Sequence, residues 1–374
     1  MIRSLLLLLT TALLLPACGR DQGLRATPSG EGPQILIDWD AEPLPELPFP
    51  NDLATRPDPG SPTGLRLNFS EEAATELERR ARRKVNELPG FGIFAPISVR
   101  FQAALDLDNV VNRHADDYDL SDDAFYVINI SPSSPGYGEA LELDLGHGRF
   151  PGDLFSTDRY FPNDPRSWTP SLLYELAEED LNGNGVLDPG EDTDFDGVLD
   201  HPNVYPEGGD PRADLMTWYE RETDTLILRP VVPMREETCY AVVLTERLLG
   251  ENGQPIRSPW SFVHHLRQTE ALEPLHDVLP GLGLEINDVA FAWTFTTGRI
   301  TGDLVDLRRG LHGEGPFSHL AEDYPAGITE AAILQEGEQI EQPLSVPADR
   351  LASVLEAAGL FPDESSAVGR STAY

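Results

Sequence analysis

Ile97-Ser98-Val99-Arg100-Phe101 alternates apolar and polar side chains with period two. That is the pattern of a strand with one face in a core and one in water. Phe125-Tyr126-Val127-Ile128-Asn129-Ile130 reads as a second strand, and Ala140 to Leu145 as a weaker third. Asp224 to Pro230, Thr238 to Leu244 and Gly253 to Ile256 follow in the same style. Working outward, Glu71 to Glu87 is expected to be a helix, with Ser70 as its N-cap, glutamates at its start and arginines at its end. Asp303 to Leu311 and Val346 to Leu360 carry weaker helical patterns. The expectation is a mainly β fold with a few flanking helices.

Lys and Arg total 27 against 64 Asp and Glu, a formal net charge of −37, and Lys84 is the only lysine. A surface this acidic repels nucleic acid and anionic headgroups and attracts divalent cations. Nucleic acid is therefore excluded as a partner. With 40% hydrophobic residues the chain can still build real cores.

The first residues are Met-Ile-Arg-Ser, then an apolar run from Leu5 to Leu15, then Pro16-Ala17-Cys18. One positive charge, a short apolar stretch and a small residue before the cut mark a secretory signal. The run falls short of the about 20 apolar residues a transmembrane helix needs. Leu15-Pro16-Ala17-Cys18 resembles the lipobox of bacterial lipoproteins, which implies cleavage after residue 17 and a lipid on Cys18. Gly19 follows, with no Asp at that place, which by the same resemblance favours the outer membrane. Residues 18–33 read as a flexible tether. The second cysteine, Cys239, then has no partner within the chain and sits in a strand-like run as a small apolar residue.

The strongest chemical signal is Asp180-Leu-Asn182-Gly-Asn184-Gly185-Val186-Leu-Asp188-Pro-Gly-Glu191. Counted from Asp180, oxygen side chains fill places 1, 3, 5 and 9 of an EF-hand loop. Gly185 takes place 6, the Val186 carbonyl place 7, and Glu191 place 12. Ca²⁺ asks for 6–8 oxygens in such a shell. A second loop starts at once, with Asp192, Asp194, Asp196, the Val198 carbonyl and Asp200 as donors. Its place 12 is Asn203, which offers no bidentate carboxylate. The loops abut with no helix between them, which resembles the calcium repeats of extracellular adhesive proteins.

Ala95-Pro96-Ile97-Ser98-Val99-Arg100-Phe101, Leu226 to Pro230, Cys239 to Leu244, Leu249 to Ile256 and Ala290-Phe291-Ala292-Trp293-Thr294-Phe295-Thr296-Thr297 together resemble a bacterial Ig-like domain of the surface-layer type. With Pro48-Phe49-Pro50-Asn51-Asp52 and Gly90-Phe91 upstream, the arrangement is also similar to the N-terminal region of bacterial extracellular virulence-factor lipases. The resemblance implies an Ig-like β-sandwich over residues 34–300, interrupted by a long insertion at about 131–220 that holds the calcium loops (180–203). Residues 301–374 would be a mixed α/β segment, the start of a further, truncated domain.

Other clusters are bland. Asp116, Asp117, Asp119, Asp122 and Asp123 lack the spacing of a metal loop, and His264 and His265 are adjacent, so their side chains diverge. The five tryptophans, at 39, 168, 218, 260 and 293, are expected in the core. Phe-Pro-Asn-Asp occurs twice, at 49–52 and 161–164. There is no Gly-x-Ser-x-Gly elbow, zinc spacing or phosphate-binding glycine loop. The function expected from these residues is non-catalytic: a surface lipoprotein with a Ca²⁺-stabilised Ig-like module, anchored to the membrane through Cys18, for adhesion to a surface protein or polysaccharide, scaffolding or domain presentation. The alternative is the accessory region of an extracellular lipase or esterase whose hydrolase domain lies beyond Tyr374.

Overall fold

Val289-Ala-Phe-Ala-Trp-Thr-Phe-Thr296 is buried at every position, so both faces of this strand must meet apolar partners. A computed structural model describes residues 23–42, 44–114, 119–145, 178–193, 197–210 and 214–324. In it the segment is β9, the edge of an antiparallel sheet ordered β4 (Phe125–Asn129), β8 (Cys239–Thr245), β9. Register runs from Cys239 opposite Thr296 to Leu244 opposite Phe291, with an irregularity between Leu244 and Thr245.

Alternation sends the side chains of this sheet to two separate cores. Phe125, Val127, Tyr240, Val242, Leu244, Phe291, Trp293 and Phe295 face one core. There they meet Ile97 and Val99 of β3 (Ile97–Arg100) and Leu226 and Leu228 of β7 (Thr225–Pro230). Tyr126, Ile128, Ala241, Val243, Val289 and Ala292 face the other, beneath Leu272 of α3 (Thr269–Leu272) and Leu275 and Val278 of α4 (Leu275–Val278). The three-stranded sheet is thus sealed by a second sheet on one side and by short helices on the other.

In the second sheet β7 is central. The strand β3 pairs along one edge of it. Two short strands, β6 (Tyr219–Glu220) and β5 (Leu143–Asp144), follow each other along the opposite edge. Both lie within the stretch expected as an insertion, 131–220, which therefore contributes to the sheet. The strand β5 falls within Ala140 to Leu145, expected as a weak strand, whereas β6 is too short to show in sequence. Gly253 to Ile256, expected as a strand, is a turn with a single bridge between Leu249 and Pro255. A small hairpin, β1 (Thr55–Pro57) with β2 (Leu65–Leu67), precedes α1 (Glu76–Val85).

The helix α1 starts five residues later than Ser70 and Glu71 suggest. Thr75 is the N-cap, its hydroxyl accepting from the Glu78 N–H at 3.2 Å, while Ser70 accepts from Glu72 in a local turn. No residue of α1 is buried. It is laced instead by Arg79 and Arg80 to Glu76 and by Arg82 to Glu78, pairs worth a few tenths of a kcal/mol each. A further helix, α2 (Leu107–His114), gives Leu107 and Val110 to the first core. Gly90 has φ +156°, and a Cβ there would stand 2.6 Å from the Thr296 carbonyl, so β9 packs against a residue that can only be glycine.

All of this belongs to a unit spanning residues 1–302; residues 303–374 form a second. The described part of the second unit holds most of α5 (Gly302–Leu311), close to the expected 303–311, and α6 (Leu320–Asp323). The expected helix at 346–360 lies outside the described residues.

Leu275 is fully buried under the outer face, whereas Leu266 is 43% exposed. Leu275→Ala should cost about 2–5 kcal/mol in chemical denaturation, and Leu266→Ala under about 0.5 kcal/mol. Equal effects of the two would mean that the helical layer does not seal the sheet.

Candidate functional site

Residues 180–191 fold into a tight loop around their own polar groups. The Asp180 carboxylate accepts from the Asn184 N–H at 2.9 Å and the Gly185 N–H at 2.7 Å. Those N–H bonds, the one from Gly185 foremost, hold the Asp180 carboxyl below the usual carboxylate range. Gly185 stands at φ +69°, the left-handed bend its place in the loop demands. The backbone N–H of Asp188 donates to Glu191 Oε2 at 2.9 Å.

At the centre stand two asparagine amides. Asn182 Nδ2 donates to Asp188 Oδ2 at 2.8 Å and to Glu191 Oε1 at 3.2 Å, and Asn184 Nδ2 donates to the same Asp188 oxygen at 2.8 Å. Amide protons thus occupy the place where positive charge is needed between two carboxylates. Among the described residues, no group of three His, Cys, Asp or Glu side chains could hold a metal ion. The oxygens of Asp180 are turned to backbone N–H groups, which separates that carboxylate from the pair at 188 and 191. The donor set still fits a hard cation. Rotating an amide by 180° would turn its Oδ1 inward, at the loss of the bond that Oδ1 now accepts, from the Asn184 N–H at 3.1 Å for Asn182 and from the Val186 N–H at 2.7 Å for Asn184; five oxygen-bearing side chains would then line the loop. Val186 is 58% exposed, its side chain leaving the loop while its backbone stays.

The second loop is described in part. Asp194 and Asp196 lie outside the described residues, as does Cys18. Val198 is 42% exposed and Asp200 is buried. Asp192, which opens the loop, is partly buried. Asn203, at place 12, is engaged elsewhere: its amide nitrogen donates to the carbonyls of Met216 at 2.6 Å and Tyr219 at 2.8 Å, and its oxygen accepts from the Arg221 N–H at 3.1 Å. It ties the loop region to β6.

Glu179 is the residue that sequence reasoning missed. It is fully buried, and its carboxylate accepts from the N–H of Thr193, the Thr193 hydroxyl at 2.7 Å and the Asp200 N–H at 3.2 Å. Its own N–H reaches the Asp200 carbonyl at 3.0 Å. One carboxylate thereby pins the start of the first loop, the junction and the end of the second. Its position directly before Asp180 was the signal available, but nothing in its type sets it apart in so acidic a chain.

A second polar cluster lies under β9, built by the Phe49-Pro50-Asn51-Asp52 motif. The Pro50 carbonyl accepts from Trp293 Nε1 at 2.8 Å. Asp52 accepts from the Thr296 N–H and hydroxyl, both at 2.9 Å, and from the Thr294 hydroxyl at 3.3 Å. Asn51 Oδ1 accepts from Gln268 Nε2 at 3.1 Å, and that nitrogen also reaches Thr294. Removal from water pushes the Asp52 carboxyl up to about 6, against the lowering pull of its threonine partners. The second copy of the motif, at 161–164, lies outside the described residues.

Cys239 is partly buried in β8, and desolvation pushes its thiol up to about 12, so it stays a neutral thiol at physiological pH. His264 is fully buried and holds the Leu24 N–H at 2.9 Å through Nε2, a structural task. Asp123 lies 3.2 Å from Nδ1 of His114, whose imidazole burial pushes down to about 3 and so keeps neutral, and Asp119 caps a turn at Ser121; Asp116 and Asp117 lie outside the described residues. Of the tryptophans, Trp293 and Trp218 are core, Trp260 is partly buried, Trp39 is half exposed, and Trp168 lies outside the described residues. Compared with family models, with curated proteins and with solved structures, the chain finds no match.

Asp52 makes a signed prediction. Its carboxyl titrates near 6 when folded and near ~3.9 when unfolded. Below about pH 4 both states hold the proton. Between about pH 4 and 6 the unfolded chain gives it up first, so this group's contribution to stability falls as pH rises, then levels off. Asp52→Asn removes the titration. The stability of Asp52→Asn relative to wild type should therefore increase by roughly 1–3 kcal/mol from about pH 4 to about pH 7, measured by urea denaturation. A difference that stays flat across that range would show that Asp52 does not titrate there.

Proposed function

We propose that this chain is a calcium-stabilised, Ig-like module held at the outer membrane through a lipid on Cys18, serving adhesion, scaffolding or domain presentation rather than catalysis. The observation that carries it is the convergence of Asn182 and Asn184 on Asp188 and Glu191, inside a loop whose first carboxylate already grips Gly185. In the calcium-bound loop Asp180, Asn182, Asn184, Asp188 and Glu191 would supply side-chain oxygens and Val186 its carbonyl, with Asp192, Asp194, Asp196, Val198 and Asp200 as the weaker neighbouring set. The cation would supply charge neutralisation and order. Glu179 and Asn203 carry that order to β6, and so to the sheet. The Ig-like assignment is supported by two antiparallel sheets that share one core, with β9 as the closing strand.

The accessory-region alternative draws support from the Pro48–Asp52 segment, where the lipase resemblance is carried and where Asn51 and Asp52 are bound into the fold. A Gly-x-Ser-x-Gly motif read downstream in the same frame would favour it.

Extracellular calcium modules bind at roughly 10⁻⁴–10⁻³ M. At about 10 mM Ca²⁺ such a site adds about 1–3 kcal/mol to stability. Wild type should then melt a few degrees higher in Ca²⁺ than in chelator. Glu191→Gln should abolish that difference while melting near wild type in chelator. Glu179→Ala, by contrast, should lower the melting point in both. Identical melting of wild type with and without Ca²⁺ would refute the calcium reading. Separately, Cys18→Ser should move the protein from the membrane to the soluble fraction, and unchanged membrane association would remove the lipid anchor.

A further inference from the structure

Residues 38–46 read Asp-Trp-Asp-Ala-Glu-Pro-Leu-Pro-Glu, with carboxylates at 38, 40, 42 and 46 and no basic side chain. Asp38 and Glu46 are bridged to each other. The Asp38 N–H donates to the Glu46 carbonyl at 2.9 Å and the Glu46 N–H to the Asp38 carbonyl at 2.8 Å. The Asp38 carboxylate accepts from the Asp40 N–H at 2.9 Å. Asp38, Asp40 and Glu42 are exposed, and Glu46 faces Arg100 at 4.0 Å.

Trp39 stands in this segment, 50% exposed. A chain of rings braces it from below. It meets His265 edge-on at 6.3 Å, His265 meets Trp260 edge-on at 4.9 Å, and Trp260 lies 5.6 Å from the fully buried Phe291 of β9. The His265–Gln268 turn beneath it is anchored by Gln268, whose amide reaches Asn51 and Thr294. Burial holds the His265 imidazole below its usual range, and Nδ1 accepts from the Arg267 N–H at 3.2 Å, so the ring under Trp39 is neutral. Half an indole is thus exposed on a support of packed rings, between Asp38 and Asp40 in the chain, with the exposed Arg267 guanidinium near enough to His265 to help hold its imidazole low.

We propose that the exposed face of Trp39 receives a cationic side chain, arginine or lysine, from a partner polypeptide. The indole face attracts a cation through its quadrupole, and Asp38, Asp40 and Glu42 supply counter-charge around it. Charge complementarity selects this occupant. A neutral sugar ring could stack on Trp39 and donate its hydroxyls to the carboxylates, but it would gain nothing from the net charge. An acidic glycan or an anionic lipid surface would be repelled. Buttressing through His265 and Trp260 leaves little side-chain freedom to lose on binding, which favours affinity. The inference goes beyond the calcium reading and does not rest on it.

The test is calorimetric titration of the full chain with a short Gly-Arg repeat peptide at physiological salt, in chelator, so that failure of the calcium reading leaves it intact. Trp39→Ala should weaken binding about tenfold or more, with an unchanged melting point. The double variant Asp40→Asn, Glu42→Gln should weaken it and flatten its salt dependence, and keeps the test alive should Trp39→Ala not fold. Three results would overturn the proposal: no binding to wild type; binding by Trp39→Ala as strong as wild type, which would make it a general property of the acidic surface; or Trp39-dependent binding of a neutral maltooligosaccharide in place of the peptide.

Discussion

The pairing of β8 with β9 between two apolar layers is the constraint on which the remaining structure hangs. Seven residue pairs, from Cys239–Thr296 to Thr245–Val289, hold the two strands together. A strand buried on both faces cannot slip by one residue without exchanging its two sets of side chains between cores of different shape. Trp293, Phe291 and Phe295 fill one side, Ala292 and Val289 the other. Large rings meet the opposing sheet, and small side chains leave room for short helices. That division of volume decides which face is covered by which layer.

A doubly buried strand leaves its polar atoms no water to turn to. Thr294 and Thr296 bring hydroxyls into the interior, and the Phe49-Pro50-Asn51-Asp52 segment answers them with a carboxylate and, through Asn51, the Gln268 amide. The answer is incomplete, since Asn51 Nδ2 and Gln268 Oε1 find no partner among the described residues. Burying a carboxylate costs several kcal/mol unless it is hydrogen-bonded or holds its proton. Asp52 does some of each, which is why its carboxyl is displaced upward despite three donors. The segment is tied to β9 by chemistry that apolar packing alone would not supply.

The longer strands were legible in sequence: an apolar run at 239–245, of which six residues are buried, a clean period two at Ile97–Arg100, and the fully buried 289–296, reached through its resemblance to the closing strand of Ig-like modules. What stayed hidden was short. The two-residue strand β6 carries no periodicity of its own, and pairing with β7 alone defines it, whereas β5 falls inside the weak strand pattern of Ala140 to Leu145. The helices α3 and α4 have four residues each, too few to show an amphipathic repeat. Their Leu272, Leu275 and Val278 read as scattered apolar residues until the sheet gives them a face to cover. At the loop, donor places followed from spacing, but Glu179 did not, because a buried staple and a solvated glutamate look alike in a chain with 64 acidic residues.

The charge balance connects these parts. With −37 spread over the chain, self-repulsion opposes compactness wherever carboxylates crowd, and each crowded place in the structure meets that repulsion with a different donor. Around Asp52 the donors are hydroxyls and a proton. On α1 they are arginines one turn away. At 179–191 they are backbone N–H groups and two asparagine amides, neutral dipoles that align with the carboxylates but cancel none of their charge. A dipole satisfies geometry; it leaves the net field in place. At the loop that residual field is set by Asp180, Asp188, Glu191 and Asp192, all within 13 residues of the buried Glu179.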